Sequence, residues 1–142
     1  MTRVVIDASV AIKWVVEEDG TTDALALRRH VLAAPDLLTA ECANILWKKS
    51  MRGELDRAEA ILAAQLLARA DIELAPMRLL LDAATDLAMQ LSHPAYDCMY
   101  LALARERNAP FVTADATLVT KASQTPSISV AVLELREAAA HL

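Results

Sequence analysis

Hydrophobic positions along the chain fall into short β-branched runs and longer helical patterns. Residues 3–7 form an apolar run that ends in Asp7, as expected for a strand buried on both faces of a parallel sheet. Residues 110–113 have the same character, and Asp115 follows them. The pattern also predicts short strands over 72–74 and 128–130, and a short strand or turn over 35–38.

Apolar residues at helical spacing fill the segments between these strands. They predict helices over 8–15, 22–33, 39–49, 55–70, 76–90, 96–107, 116–122 and 133–140. Thr39 is the expected N-cap of the third, and the helix over 96–107 is apolar almost all round, which is typical of a buried helix. The alternation predicts an α/β fold, with a central parallel sheet and helices on both faces.

Composition narrows the class of protein. At 142 residues the chain is expected to be a single domain, residues 1–142. Its net charge of −5 excludes a global basic field for nucleic acid, although a nuclease that holds cations remains possible. Cys42 and Cys98 lie far apart in the sequence, each within an apolar helical segment, so we expect them to be buried free thiols. With no signal pattern and no apolar run long enough to span a bilayer, we expect a cytoplasmic protein that does not enter a membrane.

Four acids stand at the ends of apolar elements. Asp7 and Asp115 end the two strongest strands, whereas Glu41 and Asp97 open the two most apolar helices. If the two strands are neighbours, the four carboxylates can meet at one edge of the sheet. Each acid taken alone also has a structural explanation: Asp7 can cap a helix, and Glu41 can stabilise the positive end of a helix dipole.

Carboxylates gathered at close range would hold protons unless cations neutralise them. Mg²⁺ and Mn²⁺ prefer oxygen ligands and suit such a site, and their usual chemistry is phosphoryl transfer with an activated water. Ser9 and Thr113 are nearby hydroxyls that could hold a ligand or water, or simply bond to the backbone. A histidine base is not required, since a metal can activate the water. His93 could touch substrate, but a loop histidine before proline is more often incidental.

Four motifs resemble the PIN-domain signature, in detail that of the VapC toxins of bacterial type II toxin–antitoxin pairs. They are VVIDASVAIKW around Asp7, AEC at Glu41, YDCMYLALA at Asp97 and TADATL at Asp115. The resemblance runs in the right order from residue 4 to about residue 130, and YDCMYLALA followed by FVTAD is its most specific part.

This resemblance implies a three-layer α/β/α sandwich and a Mg²⁺- or Mn²⁺-dependent endoribonuclease acting on RNA. It implies that Asp7 and Asp97 are the main metal-site acids, that Glu41 and Asp115 complete the pocket, and that Ser9 and Thr113 are its polar neighbours. It further implies a homodimer and a cognate antitoxin that grips the helical pair within residues 39–67. Without the resemblance, those helices show only more apolar residues than one face needs.

Three other classes compete with the nuclease. A phosphoacceptor signalling domain needs an acid pair before the first strand and a lysine after a late strand, but Thr2 and Arg3 stand at the first place and Lys121 is badly placed. A haloacid-type phosphatase needs a second Asp where Ser9 stands. A non-catalytic subunit that uses the same fold only for dimerisation or binding is the main alternative, although the complete acid set argues against it.

Overall fold

A central sheet organises the molecule. The computed structural model describes residues 2–142, and within that range five parallel strands pair in the order β3-β2-β1-β4-β5. The strands are β1 Arg3–Ile6, β2 Val31–Pro35, β3 Glu73–Ala75, β4 Phe111–Thr113 and β5 Val132–Glu134. β1 lies in the middle, where Val5 aligns with Ala33 on one side and with Phe111 on the other.

Helices connect the strands and cover both faces of the sheet. They are α1 Ala8–Ala11, α2 Thr21–Ala26, α3 Leu37–Met51, α4 Arg57–Ala68, α5 Leu81–Leu91, α6 Ala95–Arg107, α7 Ala116–Ser123 and α8 Leu135–His141. The connections from β1 to β2 and from β2 to β3 run one way across the sheet, whereas those from β3 to β4 and from β4 to β5 run the other way. Because such crossovers are right-handed, α1 to α4 lie on one face and α5 to α7 on the other.

This arrangement is the predicted α/β/α sandwich with a parallel sheet. α6 packs on α5 and contacts β1, β2 and β4, whereas α8 packs on α2 and contacts β4. The order in which the chain adds strands to the sheet reverses between the parallel neighbours β1 and β4. In open parallel sheets, ligands bind beyond the carboxyl ends of the strands at such a reversal. The fold therefore puts the residues that follow β1 and β4 at the favoured position for a site.

The helix α6 is buried, as its sequence predicts. Cys98 and every residue from 100 to 104 are almost inaccessible to solvent. The Tyr100 ring stacks on Phe111 of β4, with the ring centroids 5.6 Å apart and the planes inclined by 15°. Stacked and buried aromatic pairs of this kind stabilise beyond their burial alone. Since α6 is locked against the sheet centre, the first turn of α6, with Asp97, has a fixed place.

The predicted helix over 22–33 is wrong at its carboxyl half. α2 ends at Ala26, a 3₁₀ turn covers Leu27–Arg29, and Val31 begins β2. Val31 and Leu32 align with Arg3 and Val4 of β1, so the short apolar run is the second central strand. A short apolar run fits either a buried helix or a buried strand. Here pairing with β1 makes it a strand.

Other boundaries also shift. α3 begins at Leu37, so Thr39 is not an N-cap but lies inside the first turn. The predicted edge strand over 128–130 is wrong: Pro126–Ile128 is a 3₁₀ turn, and the edge strand β5 follows four residues later. The helix predicted over 76–90 is divided into a 3₁₀ turn, Met77–Leu80, and α5. No helix in residues 2–142 combines the length and apolar character needed to cross a bilayer.

Candidate active site

Asp7 is the buried centre of the candidate site. It follows β1 directly, and only 8% of its surface is exposed. The Ser9 hydroxyl donates to Asp7 Oδ1, and the Thr113 hydroxyl at the end of β4 donates to Asp7 Oδ2 at 2.6 Å. The Ala114 N–H in turn donates to Ser9 Oγ at 3.0 Å. Parallel pairing of β1 with β4 thus closes a small network in which both carboxylate oxygens accept hydroxyl hydrogen bonds.

Burial raises the pKa of Asp7 to about 6. The hydrogen bonds from Ser9 and Thr113 lower the pKa, and the charge of Asp97 raises it. Desolvation therefore outweighs the two hydroxyl donors, because a buried carboxylate loses more hydration than two neutral donors restore. Near neutral pH, Asp7 is largely an anion in an unfavourable place.

Glu41 lies on α3 and faces the same pocket. The Tyr100 hydroxyl of α6 donates to Glu41 Oε1. Burial raises the pKa of Glu41, the bond from Tyr100 lowers it, and the charge of Asp97 raises it. Burial and the charge of Glu41 also raise the pKa of Tyr100, so the phenol stays protonated and remains a donor. Glu41 therefore does not act only on the dipole of α3, because its carboxylate also accepts a hydrogen bond from Tyr100 of α6.

Asp97 stands in the first turn of α6 and is partly exposed. His93 Nε2 lies 2.6 Å from Asp97 Oδ2. The Asp97 charge acts on both Asp7 and Glu41, since it raises the pKa of each. The structure therefore brings three of the four predicted acids together at the carboxyl edge of the sheet.

Asp115 occupies a different place from the other three acids. It is exposed and caps α7, where Asp115 Oδ1 accepts hydrogen bonds from the Thr117 and Leu118 N–H groups at 3.0 and 3.2 Å. Its link to the pocket is through the backbone, because the Asp115 N–H donates to Thr113 Oγ1 at 3.1 Å. The side chain itself has an observed structural role as an N-cap.

The three neighbouring acids fit a divalent cation that keeps much of its hydration. Their donor atoms are carboxylate oxygens, which Mg²⁺ and Mn²⁺ prefer, and burial, with a smaller contribution from the charge of Asp97, holds the pKa of Asp7 and of Glu41 above the usual range. Within residues 2–142, no group of three or more His, Cys, Asp or Glu side chains forms a ready-made metal cage. A hydrated Mg²⁺ needs only one or two carboxylates and does not require such a cage.

Sequence reasoning missed two groups that touch the acids. Tyr100 lies in an apolar helical run, and its hydroxyl gave no signal apart from its place one turn after Asp97. His93 was expected to be incidental, yet its ring is 11% exposed and contacts Asp97. The available signal was the spacing of four residues between His93 and Asp97, which brings side chains together at the start of a helix.

Comparisons with known proteins identify the family of the chain. A family model described as PIN domain matches residues 4–123. Ribonuclease VapC9 of Mycobacterium tuberculosis is 31% identical over 115 residues, which cover 81% of this chain and 87% of the relative.

Solved structures show the same fold. PAE2754 from Pyrobaculum aerophilum matches with a TM-score of 0.71 and 19% identity, covering 98% of this chain and 93% of that one. VapBC2 from Rickettsia felis, solved bound to a DNA fragment from its promoter, matches with a TM-score of 0.64 and 12% identity, covering 94% and 98%.

A parallel α/β sandwich with carboxylates at its strand reversal, matched over most of its length by the family model, defines the class: the chain belongs to the PIN-domain family. Within that family its curated relatives are VapC ribonucleases, so the resemblance found in the sequence to VapC-type members is confirmed.

Proposed function

We propose that this protein is a Mg²⁺- or Mn²⁺-dependent endoribonuclease, the toxin component of a type II toxin–antitoxin pair. The observation that carries the proposal is the convergence of Asp7, Glu41 and Asp97 at the carboxyl edge of the sheet in a PIN-family fold. The relatives called VapC ribonucleases support RNA as the substrate. The proposed compartment is the cytoplasm, because it contains RNA and keeps thiols reduced, as Cys42 and Cys98 are here.

The four acids have distinct proposed roles. Asp7 and Asp97 would hold the cation, Glu41 would complete the charge of the pocket from α3, and Asp115 would border it from α7. When bound, a divalent ion lowers the pKa of a water molecule and stabilises negative charge on a phosphodiester. Ser9 and Thr113 keep Asp7 in one orientation, because each hydroxyl is itself held by a backbone N–H. The pocket is therefore organised before a cation enters.

The helical pair α3–α4 is the proposed docking site of the antitoxin. Large apolar side chains on these helices are exposed: Trp47, Met51, Ile61, Leu62 and Leu66. A groove of about 400 Å³ lies between α3, α4 and β3, and Leu38, Leu46 and Leu67 are among its lining residues. Exposed apolar surface of this kind is typical of an interface. Its position, within the residues 39–67 singled out by the family resemblance, supports an antitoxin as the partner.

A homodimer is proposed as well. Leu79, Leu81 and Met89 are each more than half exposed around α5, on the opposite side of the sheet from α3 and α4. Two copies that meet there would bury these side chains and leave the α3–α4 groove accessible. Light scattering at micromolar protein should report twice the chain mass, and a monomer would contradict the dimer.

Cleavage of RNA by the purified protein tests the activity. Pooled cellular RNA is incubated with Mg²⁺, with Mn²⁺ and with EDTA, beside Asp97→Asn and a control variant, Asp71→Asn. Asp71 is an exposed acid just before β3, at the end of the sheet away from the pocket. We expect discrete fragments that require metal, persist in the control and decrease by orders of magnitude in Asp97→Asn with the fold intact.

Two other outcomes have a definite meaning. If Asp97→Asn cuts at the wild-type rate, the assignment of the site is wrong. If there is no cleavage and Mn²⁺ does not raise the melting temperature, the non-catalytic dimerisation or binding subunit becomes the better description, because a bound cation must stabilise the folded state.

A further inference from the structure

The link between α5 and α6 carries a polar cluster that the proposed roles above do not use. Ser92 ends α5 in a left-handed conformation, with φ of 49°, and Pro94 precedes α6. His93 lies between them, and its backbone N–H donates to the Ala88 carbonyl at 3.2 Å. The imidazole is therefore held at the entrance of α6 by the ends of two packed helices.

Lys121 of α7 reaches this link from the other side. Lys121 Nζ lies 3.3 Å from His93 Nδ1 and 3.2 Å from the Ser92 carbonyl oxygen. A lysine ammonium can only donate hydrogen bonds, so His93 Nδ1 must be the acceptor. An imidazole that accepts at Nδ1 carries its proton on Nε2. His93 Nε2 is therefore a donor, and its acceptor is Asp97 Oδ2, 2.6 Å away.

The hydrogen bonds run in one direction: Lys121 donates to His93, and His93 donates to Asp97. Within residues 2–142 we find no other hydrogen bond to the Asp97 carboxylate, so one oxygen is fixed and the other stays available. Outer hydrogen bonds of this kind orient metal-binding side chains. Lys121 also lies on the helix that Asp115 caps, and it thus connects α7 with the start of α6.

We propose that His93 and Lys121 are positioning residues of the acidic site, which together hold the Asp97 carboxylate in the orientation that binds the divalent cation. The inference rests on the proposed function for its consequence, cation binding, but the arrangement of the three side chains is a property of the metal-free protein. His93 contacts the Asp97 carboxylate directly, and Lys121 acts through His93.

Two measurements test the proposal separately from cleavage. The first is a ¹H–¹⁵N spectrum of the imidazole rings in the metal-free protein at pH 8. We expect His93 to be the Nε2–H tautomer in the wild type and to lose this preference in Lys121→Met. The Nδ1–H tautomer, or a spectrum that Lys121→Met leaves unchanged, would overturn the proposal even if the protein proved not to be a nuclease.

The second measurement is Mn²⁺ affinity by electron paramagnetic resonance. We expect His93→Ala to weaken binding by about 10- to 100-fold, the usual effect of removing an outer partner of a metal ligand. His93→Gln should restore most of the affinity, because its amide nitrogen can donate to Asp97. His141→Ala and Lys48→Met are matched controls, since both residues are exposed and lie on other elements, α8 and α3.

The outcomes separate the two proposals. A wild type that binds Mn²⁺ and cleaves RNA, with unchanged affinity in His93→Ala, would refute the positioning role and leave the nuclease intact. A wild type that neither binds Mn²⁺ nor cleaves RNA would refute the nuclease, and the tautomer spectrum would still decide the arrangement of His93. Circular dichroism of each variant shows that a loss of affinity is not a loss of fold.

Discussion

Replacing Asp7 by Asn should make the metal-free protein more stable while abolishing its proposed activity. Asp7 is buried, and its pKa is raised from 3.8 to about 6 by desolvation. A carboxyl group whose pKa is raised on folding favours the folded state only when it is protonated. Asn has nearly the same shape but no charge, so it removes both the desolvation penalty and the repulsion from Asp97.

The expected size follows from the shift. A rise of about 2 pKa units corresponds to roughly 3 kcal/mol of lost stability when Asp7 is ionised in both states. The penalty is absent below the unfolded pKa of 3.8, grows between 3.8 and 6, and is complete above 6. Loss of one hydrogen bond from Ser9 or Thr113 in the variant costs about 1 kcal/mol. The net gain for Asp7→Asn is therefore about 2 kcal/mol at pH 8 and below about 1 kcal/mol at pH 5.

Urea denaturation in EDTA at pH 8 and at pH 5 measures this difference. Asp71→Asn serves as a control, because an exposed acid should change the free energy of unfolding by less than about 0.5 kcal/mol. An Asp7→Asn variant that is no more stable than the wild type at pH 8 would refute the reasoning. A gain of the same size at both pH values would also refute it, since the argument requires the gain to shrink as Asp7 becomes protonated.

Two further predictions concern buried groups around the pocket. Tyr100→Phe keeps the stacking on Phe111 but removes the donor to Glu41, so urea denaturation should show a loss on the order of 1–2 kcal/mol; unchanged stability would mean that this hydrogen bond has no net value. Burial raises the pKa of Cys42 to about 12 and that of Cys98 to about 11, so neither thiol should react with Ellman's reagent at pH 8 until the protein is unfolded. Rapid reaction of either thiol in the folded protein would contradict the burial described here.

The sequence predicted the parts of the fold that have one strong signal. β1 and β4 were recognisable as β-branched runs followed by acids, and α6 as a helix that is apolar almost all round. Because neighbouring parallel strands end at the same edge, the sequence predicted that the four acids can meet there if β1 and β4 are neighbours, as they are. β2 had no such signal, since its run from Val31 to Pro35 also fits a helix and becomes a strand only through pairing with β1.

Prediction of the site from the sequence was limited for the same physical reason. The positions of Asp7, Glu41 and Asp97 follow from where elements end, which a sequence pattern contains. Hydrogen bonds between distant segments, such as Tyr100 to Glu41, depend on packing that no local pattern contains. The grouping of Asp115 with the other acids remains a prediction, because its observed bonds are those of an N-cap.

A cation should cancel the instability that the acidic site brings to the fold. A ligand that binds only the folded protein, at 100 times its dissociation constant, stabilises it by about 2.7 kcal/mol. This is close to the roughly 3 kcal/mol that ionised Asp7 costs. Mn²⁺ at 100 times its dissociation constant should therefore raise the stability of the wild type at pH 8 at least to that of metal-free Asp7→Asn, which lies about 2 kcal/mol above the metal-free wild type, and should change the variant little. Urea denaturation with and without Mn²⁺ measures both, and equal stabilisation of the two proteins would show that Asp7 does not bind the cation.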